Sequence, residues 1–222
     1  MTRRMIFPLV LGIVGTAILL SLGTWQLMRL QWKTQILNGI ESRLEAEPVA
    51  LPDNPDPVAD KYLLVKVTGD IGGQELHVLT FADTGPGFKV IVPMTLPDGR
   101  RILLDRGFIP ETAKQTPRKG GRTTVIGALV WPQETDKYVP EPNLDKNIWF
   151  ARDVDLMAKT LGTERVMLSV LKSSNLSGVT PLPVNVNIPN RHLEYVLTWY
   201  SLAIIWIGMT GYLIWRIKRK TA

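Results

Sequence analysis

Twenty-four consecutive residues, Met5 to Met28, contain no Asp, Glu, Lys or Arg, and the 21 residues from Tyr195 to Trp215 do the same near the other end. At about 1.5 Å per residue these runs make helices of roughly 36 and 31 Å, against a hydrocarbon core of roughly 30 Å. Two membrane spans therefore bracket a mixed-polarity middle segment. The fold class expected is an α+β membrane protein: N- and C-terminal transmembrane helices flanking one antiparallel β-rich extracytoplasmic domain.

Charge sets the expected orientation. Arg3 and Arg4 precede the first span, and Arg216, Lys218, Arg219 and Lys220 follow the second. These tails carry the whole formal net charge of +6, because the other basic residues equal the acids in number. A basic pI of about 9.6 thus reflects cytoplasmic anchors obeying the positive-inside rule and gives no reason to expect nucleic acid. Arg29 and Lys33 weaken the bias around the first span, but the C-terminal tail is unambiguous. An even number of spans puts both termini in the cytoplasm and the main domain outside. A cleaved signal peptide is the competing reading of the first span. Its apolar run, however, exceeds the usual ~7–15 residues of such a segment. No Arg-rich, Ser-rich presequence comes first, which favours a bacterial inner (plasma) membrane. The chain has no cysteine, so disulfides, thiolate metal sites and a Cys nucleophile are excluded.

The expected organisation is a cytoplasmic tail (1–4), a first span (5–28), a helical extension with a Pro-rich connector (29–61), a periplasmic β-rich domain (62–189), a second span (190–215) and a basic tail (216–222). Pro48, Pro52, Pro55 and Pro57 enforce the extended connector. Strands are expected at 63–69, 75–81, 88–96, 101–109, 123–131 and 165–171, from short β-branched runs between turn residues. Asp98-Gly99 predicts a two-residue type I′ hairpin turn. Gly85-Pro-Gly87 predicts another tight connection. Pro93 predicts an edge strand or an outward-facing nitrogen. A short helix is expected over 153–161, capped by Asp153 and stopped by Gly162. At the second span, Pro189 is expected to stop extended structure and Asn190 to cap the helix.

Chemistry has few candidates. His77, one of two histidines, sits in an alternating strand pattern that suits a structural or solvated role. His192 would open the second span. There the positive end of the helix dipole and Arg191 both favour neutral imidazole, the form that can bind iron. An interfacial polar residue is the plainer alternative. Tyr195, Val196, Trp199, Ala203 and Trp206 follow at spacings of three and four, a stripe suited to packing on another helix or to flanking a planar apolar ligand. Trp25, Trp199 and Trp215 also fit an aromatic belt. Arg29 would emerge on the face of His192, where it could pair with a carboxylate or with lipid phosphate. No Gly-x-Ser-x-Gly elbow, His-Glu-x-x-His helix or phosphate loop occurs, and His192-Leu-Glu194 lacks the Cys-x-x-Cys of a deaminase. Only seven residues follow Trp215, too few for the output domain of a sensor kinase.

Three segments resemble a known family. Leu22-Gly-Thr-Trp-Gln-Leu-Met-Arg-Leu-Gln-Trp-Lys33 is similar to the first-span exit motif of the Surfeit locus protein one (Shy) family. Leu103-Leu-Asp-Arg-Gly-Phe-Ile-Pro110 is similar to its central motif. Asn190-Arg-His-Leu-Glu-Tyr-Val-Leu-Thr-Trp-Tyr-Ser-Leu-Ala203 is similar to its second-span signature. Order, spacing and topology agree over essentially the whole chain. The central motif departs where Asp105 replaces the usual Asn and Phe108 the usual Trp. The resemblance implies a non-catalytic assembly factor for cytochrome c oxidase that transiently binds haem a and assists its delivery to, or stabilisation in, subunit I. The partners so implied are oxidase subunit I, haem a synthase and the lipid bilayer. By motif position His192 is the iron ligand. Arg29 and Arg106 are candidates for haem propionates or an oxidase surface, and Trp25, Gln26, Tyr195 and Trp199 for lining the site. The alternative is a cofactor-free scaffold that stabilises oxidase intermediates by protein contacts. A third reading, an enzyme using Asp105, Arg106 or His192, lacks an obvious base.

Overall fold

The computed structural model describes residues 3–175, 178–184 and 190–221. The expected stop at Pro189 lies outside the described residues. Two compact units emerge: Met1–Gly39 with Val186–Ala222, and Ile40–Asn185.

The first unit is a helix pair. Helix α1 runs unbroken over Arg3–Glu45 and continues into the second unit. At 43 residues it is about 65 Å long, roughly twice what a bilayer requires. Helix α3 spans His192–Thr221. Both are long and apolar enough to cross a membrane, and almost none of either apolar window is covered by protein. A soluble core helix would bury that surface; here lipid must cover it, so the chain is a membrane protein. The helices are antiparallel, because Gly23 meets Tyr200, Gly15 meets Trp206 and Gly12 meets Thr210. The basic ends, Arg3-Arg4 and Arg216–Lys220, therefore lie at the same end of the pair.

Glycines create the close approach. A Cβ on Gly15 would come within 2.4 Å of Trp206 Nε1, and one on Gly12 within 2.3 Å of Thr210 Cγ2. Without a hydrophobic drive between helices in lipid, such small positions let backbones pack and polar groups meet. Trp206 Nε1 donates across the pair to Gly12 O (3.2 Å), which also accepts from Thr16 Oγ1 (2.7 Å).

The second unit is built on a six-stranded sheet: β1 (Leu64–Ile71), β2 (Leu76–Ala82), β3 (Gly85–Thr95), β4 (Arg101–Pro110), β5 (Gly121–Val130) and β6 (Met167–Ser173). The order is β1-β5-β6-β4-β3-β2, and a short β1–β3 pairing partly closes the sheet into a barrel. Alternation sorts the side chains into two cores. Val90, Val92, Ile102, Leu104, Leu168 and Val170 fill the barrel, while Ile91, Leu103 and Met167 face helix α2 (Val154–Leu161). That helix buries Val154, Met157, Ala158 and Leu161, the i, i+3, i+4, i+7 stripe of an amphipathic helix. As expected, Asp153 caps it by accepting from Leu156 N, and Gly162 stops it at φ 64°.

Four local expectations are corrected. The sheet is mixed, because β4 and β6 pair in parallel through Leu103–Asp105 and Met167–Ser169; the stretch from β5 to β6 contains α2 and brings β6 back in β4's direction. The Asp98-Gly99 hairpin is not type I′, since Asp98 does not take a positive φ. Gly99 N donates to Leu96 O across a turn led by Pro97, and Gly99 alone is left-handed at φ 90°, giving a three-residue loop with a glycine bulge. Gly85-Pro-Gly87 is not the connection but the start of β3, opposite Thr80–Ala82. Glycine is required there, as a Cβ on Gly87 would lie 2.1 Å from Ile109 O. Pro93 sits in an internal strand, but β2 stops pairing at Ile91 and β1 starts at Met94, so its nitrogen occupies the gap between them.

Candidate cofactor site and family

His192 is the first residue of α3, and across the pair its Nδ1 lies 2.7 Å from Gln26 Oε1. Two candidates from the first and third motifs thus meet directly. The ring is partly buried. Among the described residues, its Nε2 makes no hydrogen bond. One turn along α1 from Gln26, Arg29 stands over the rings of Trp25 (5.8 Å) and Trp32 (5.1 Å), a cation–π arrangement that fixes a guanidinium among aromatics.

The remaining members of the stripe divide. Val196 and Ala203 are buried and Trp206 packs on Gly15, so these positions serve helix packing. Tyr195 and Trp25 are 52% and 51% exposed and turn outward, while Trp199 is partly buried. Asn190 does not cap α3. The helix begins two residues later, and Asn190 Oδ1 is buried with no hydrogen-bond partner among the described residues. Sequence reasoning passed over Thr24 and Tyr200, whose hydroxyls meet at 3.2 Å. The signal was present in Gly23, whose missing side chain admits the Tyr200 ring at 3.1 Å from a would-be Cβ. One imidazole nitrogen, exposed aromatic faces and a cation form a donor set that fits a planar, iron-bearing ring with acidic substituents. No group of three or more His, Cys, Asp or Glu among the described residues could hold a bare metal ion.

Arg106 belongs to the other unit. Its side chain is 4% exposed and Nη1 lies 3.9 Å from Glu75 Oε1. Burial lowers its pKa, partly offset by Glu75. Glu75 is also held by Arg118 through Nε (2.8 Å) and Nη2, and by His77 Nε2 at 3.3 Å. Burial alone would push the Glu75 carboxyl up. Hydrogen bonds from His77 and Arg118 and the Arg118 charge outweigh it, holding the group at about 2. His77 is 7% exposed, with Nδ1 3.3 Å from the Asn147 amide nitrogen, which donates to Glu75 O at 2.7 Å. Its surroundings are those of a structural residue, clasping β2 to the loops that follow β4 and β5.

The departing residue Asp105 is 1% exposed. It accepts from Gly107 N (3.1 Å), Arg152 Nη1 (3.2 Å) and Lys89 Nζ (3.4 Å). Arg152 in turn grips Glu134 through two nitrogens. Burial lowers the Arg152 pKa, yet Glu134 and Asp105 raise it further than burial lowers it. This network floors a cleft of about 450 Å³ that includes Tyr62 and Trp131. Its cations and carboxylates compensate one another. Gly107, at φ 117°, lets the chain pass Thr180, whose carbonyl would be 2.2 Å from a Cβ and accepts from Phe108 N. The central motif is thus a structural junction of the β domain.

These three motif segments coincide with the segments that build the helix pair and the barrel, and comparison with known proteins extends the match. The chain is 31% identical to Surfeit locus protein 1 of Rattus norvegicus over 88% of its own length and 71% of that protein's. It is 33% identical to Surfeit locus protein 1 of Homo sapiens over 82% of its length and 69% of the relative's. A SURF1-like protein of Monosiga brevicollis is 32% identical over 87% and 82%. A profile of the SURF1 family matches residues 13–204, from within the first span through the barrel to Ile204 of the second, and the chain belongs to that family.

Proposed function

We propose that the chain is a non-catalytic assembly factor for cytochrome c oxidase, holding haem a at the helix pair for delivery to, or stabilisation in, subunit I. The observation that carries this reading is His192 at the first turn of α3, with Nδ1 turned to Gln26 and Nε2 left for a ligand. Haem, when bound, would supply an iron that takes an imidazole nitrogen and propionates that take a cation. His192 would hold the iron, Arg29 would steady a propionate, and Trp25, Tyr195 and Trp199 would cover the ring's apolar surface and its long tail beside lipid. A single imidazole with aromatic packing suits reversible holding. Arg106, locked in the Glu75 cluster, supports the β domain in this reading.

The proposed setting is a bacterial inner membrane, both basic ends cytoplasmic and the β domain periplasmic. Oxidase subunit I and haem a synthase are the proposed partners. Full-length protein purified from cells making haem a is expected to carry extractable pigment, and His192→Ala to lose it while still inserting and folding. Unchanged pigment in that variant rejects the ligand assignment. Absence of pigment from the wild type favours the cofactor-free scaffold.

A further inference from the structure

We infer that Gln26 is a positioning residue that fixes the tautomer of His192, holding the proton on Nδ1 so that Nε2 presents its lone pair. The inference rests on the proposed haem site. Neutral imidazole carries one N–H, and which nitrogen bears it is set by the hydrogen bond the other groups offer. Gln26 turns its carbonyl oxygen, an acceptor only, to Nδ1 at 2.7 Å. Nδ1 must therefore donate, and Nε2 is left as the basic nitrogen. Were the Gln26 amide rotated to present its NH₂, Nδ1 would accept and the proton would move to Nε2. Neither nitrogen could then bind iron, the first being occupied and the second protonated. One side-chain rotation thus separates a binding from a non-binding imidazole.

His77 supplies an internal contrast. Its Nδ1 faces the Asn147 NH₂, whose orientation is fixed by donation to Glu75 O at 2.7 Å. Its Nε2 stands between the Glu75 carboxylate at 3.3 Å and the Arg118 guanidinium Nη2, a donor, at 3.2 Å, so no single acceptor fixes the proton of that ring. Of the two histidines of the chain, His192 is thus the one whose Nδ1 faces an acceptor.

The test uses the full chain labelled with ¹⁵N-histidine, without haem, in bilayers at about pH 8, where an ordinary imidazole is neutral. His77→Gln assigns the two signals. Expected is Nδ1–H for His192. Gln26→Leu, which keeps bulk but no acceptor, is expected to shift His192 toward Nε2–H. Titrated with haem a, it should bind about 10–100-fold more weakly, as second-sphere losses do. Gln26→Glu, a stronger acceptor, is expected to keep Nδ1–H, restore affinity and raise the iron–imidazole stretching frequency of the reduced complex. The inference is overturned by Nε2–H at His192 in the wild type, or by Gln26→Leu leaving tautomer or affinity unchanged. If haem a binding proves independent of His192, the ligand assignment fails, and if the wild type binds no haem a the proposed function fails, while the tautomer assignment is still decided by the haem-free spectra.

Discussion

Glu75 shows how much a single side chain can determine. Three basic groups converge on it, Arg118, His77 and Arg106, and two of them are almost wholly buried guanidinium groups. Glu75→Gln would strand these cations, and breaking a buried pair from one side costs about 3–5 kcal/mol. We expect that loss in the unfolding free energy of the β domain near neutral pH. The dependence on acidity has a definite sign. The folded value, about 2, lies below the ordinary 4.5, so the unfolded chain binds the proton more readily. The stabilisation is present in full above 4.5 and is lost as the pH falls toward 2. Denaturant melts of wild type and Glu75→Gln followed through tryptophan should therefore converge as the solution is acidified through that window. A gap independent of pH would show that Glu75 stays charged by no help from its neighbours. Position alone made His77 legible as structural, but no spacing rule links Glu75 to Arg118 forty-three positions away. Their meeting depends on β2 and the loop after β4 sharing one end of the barrel.

At the scale of elements, most of the strands and the short helix were readable because their signals are local. Asp153 and Gly162 bracket α2 with side-chain and backbone chemistry contained in ten residues. Replacing Asp153 by Ala should cost about 1 kcal/mol, measured as a lowered denaturation midpoint with an unchanged slope. The parallel β4–β6 pairing was not readable, because it depends on where the chain returns after α2, and alternation says nothing of strand direction. The helix–helix seam was half readable. The stripe Val196, Ala203 and Trp206 announces a packed face, but Trp206, Tyr200 and Thr210 meet glycines across the seam, which leave no apolar signature. Gly15→Leu tests that seam. Its side chain would begin 2.4 Å from the Trp206 indole, forcing the helices apart and removing the Trp206 to Gly12 hydrogen bond. We expect cysteine cross-linking between positions 23 and 200, efficient when the seam is intact, to fall sharply in this variant. Gly208→Leu, which has open space around it, should leave cross-linking unaltered.

For the whole molecule, the decisive quantity is how charge is distributed between the two ends of the helix pair. Antiparallel packing brings Arg3, Arg4, Arg216, Lys218, Arg219 and Lys220 to one end, whereas the rest of the chain is neutral in sum. In the orientation proposed above, a bilayer that retains basic segments on its cytoplasmic side would translocate the segment between the spans. His192 and Gln26 stand at the opposite ends of their spans from these charges, so in the proposed orientation the haem site would lie at the periplasmic surface. A fluorescent or β-galactosidase reporter fused after Ala222 is expected to be active, since both need the cytoplasm. Alkaline phosphatase inserted in the loop 132–147, which is active only after export, should also be active. Changing Arg216, Lys218, Arg219 and Lys220 together to Gln removes four of the six tail charges. Arg29 and Lys33 would then be matched only by Arg3 and Arg4, and a fraction of molecules should insert inverted. That fraction is read as phosphatase activity lost from the loop fusion. If both the unmodified loop fusion and the reporter after Ala222 were inactive, His192 would face the cytoplasm, and any haem held there would be offered to the wrong side of the membrane for the site proposed.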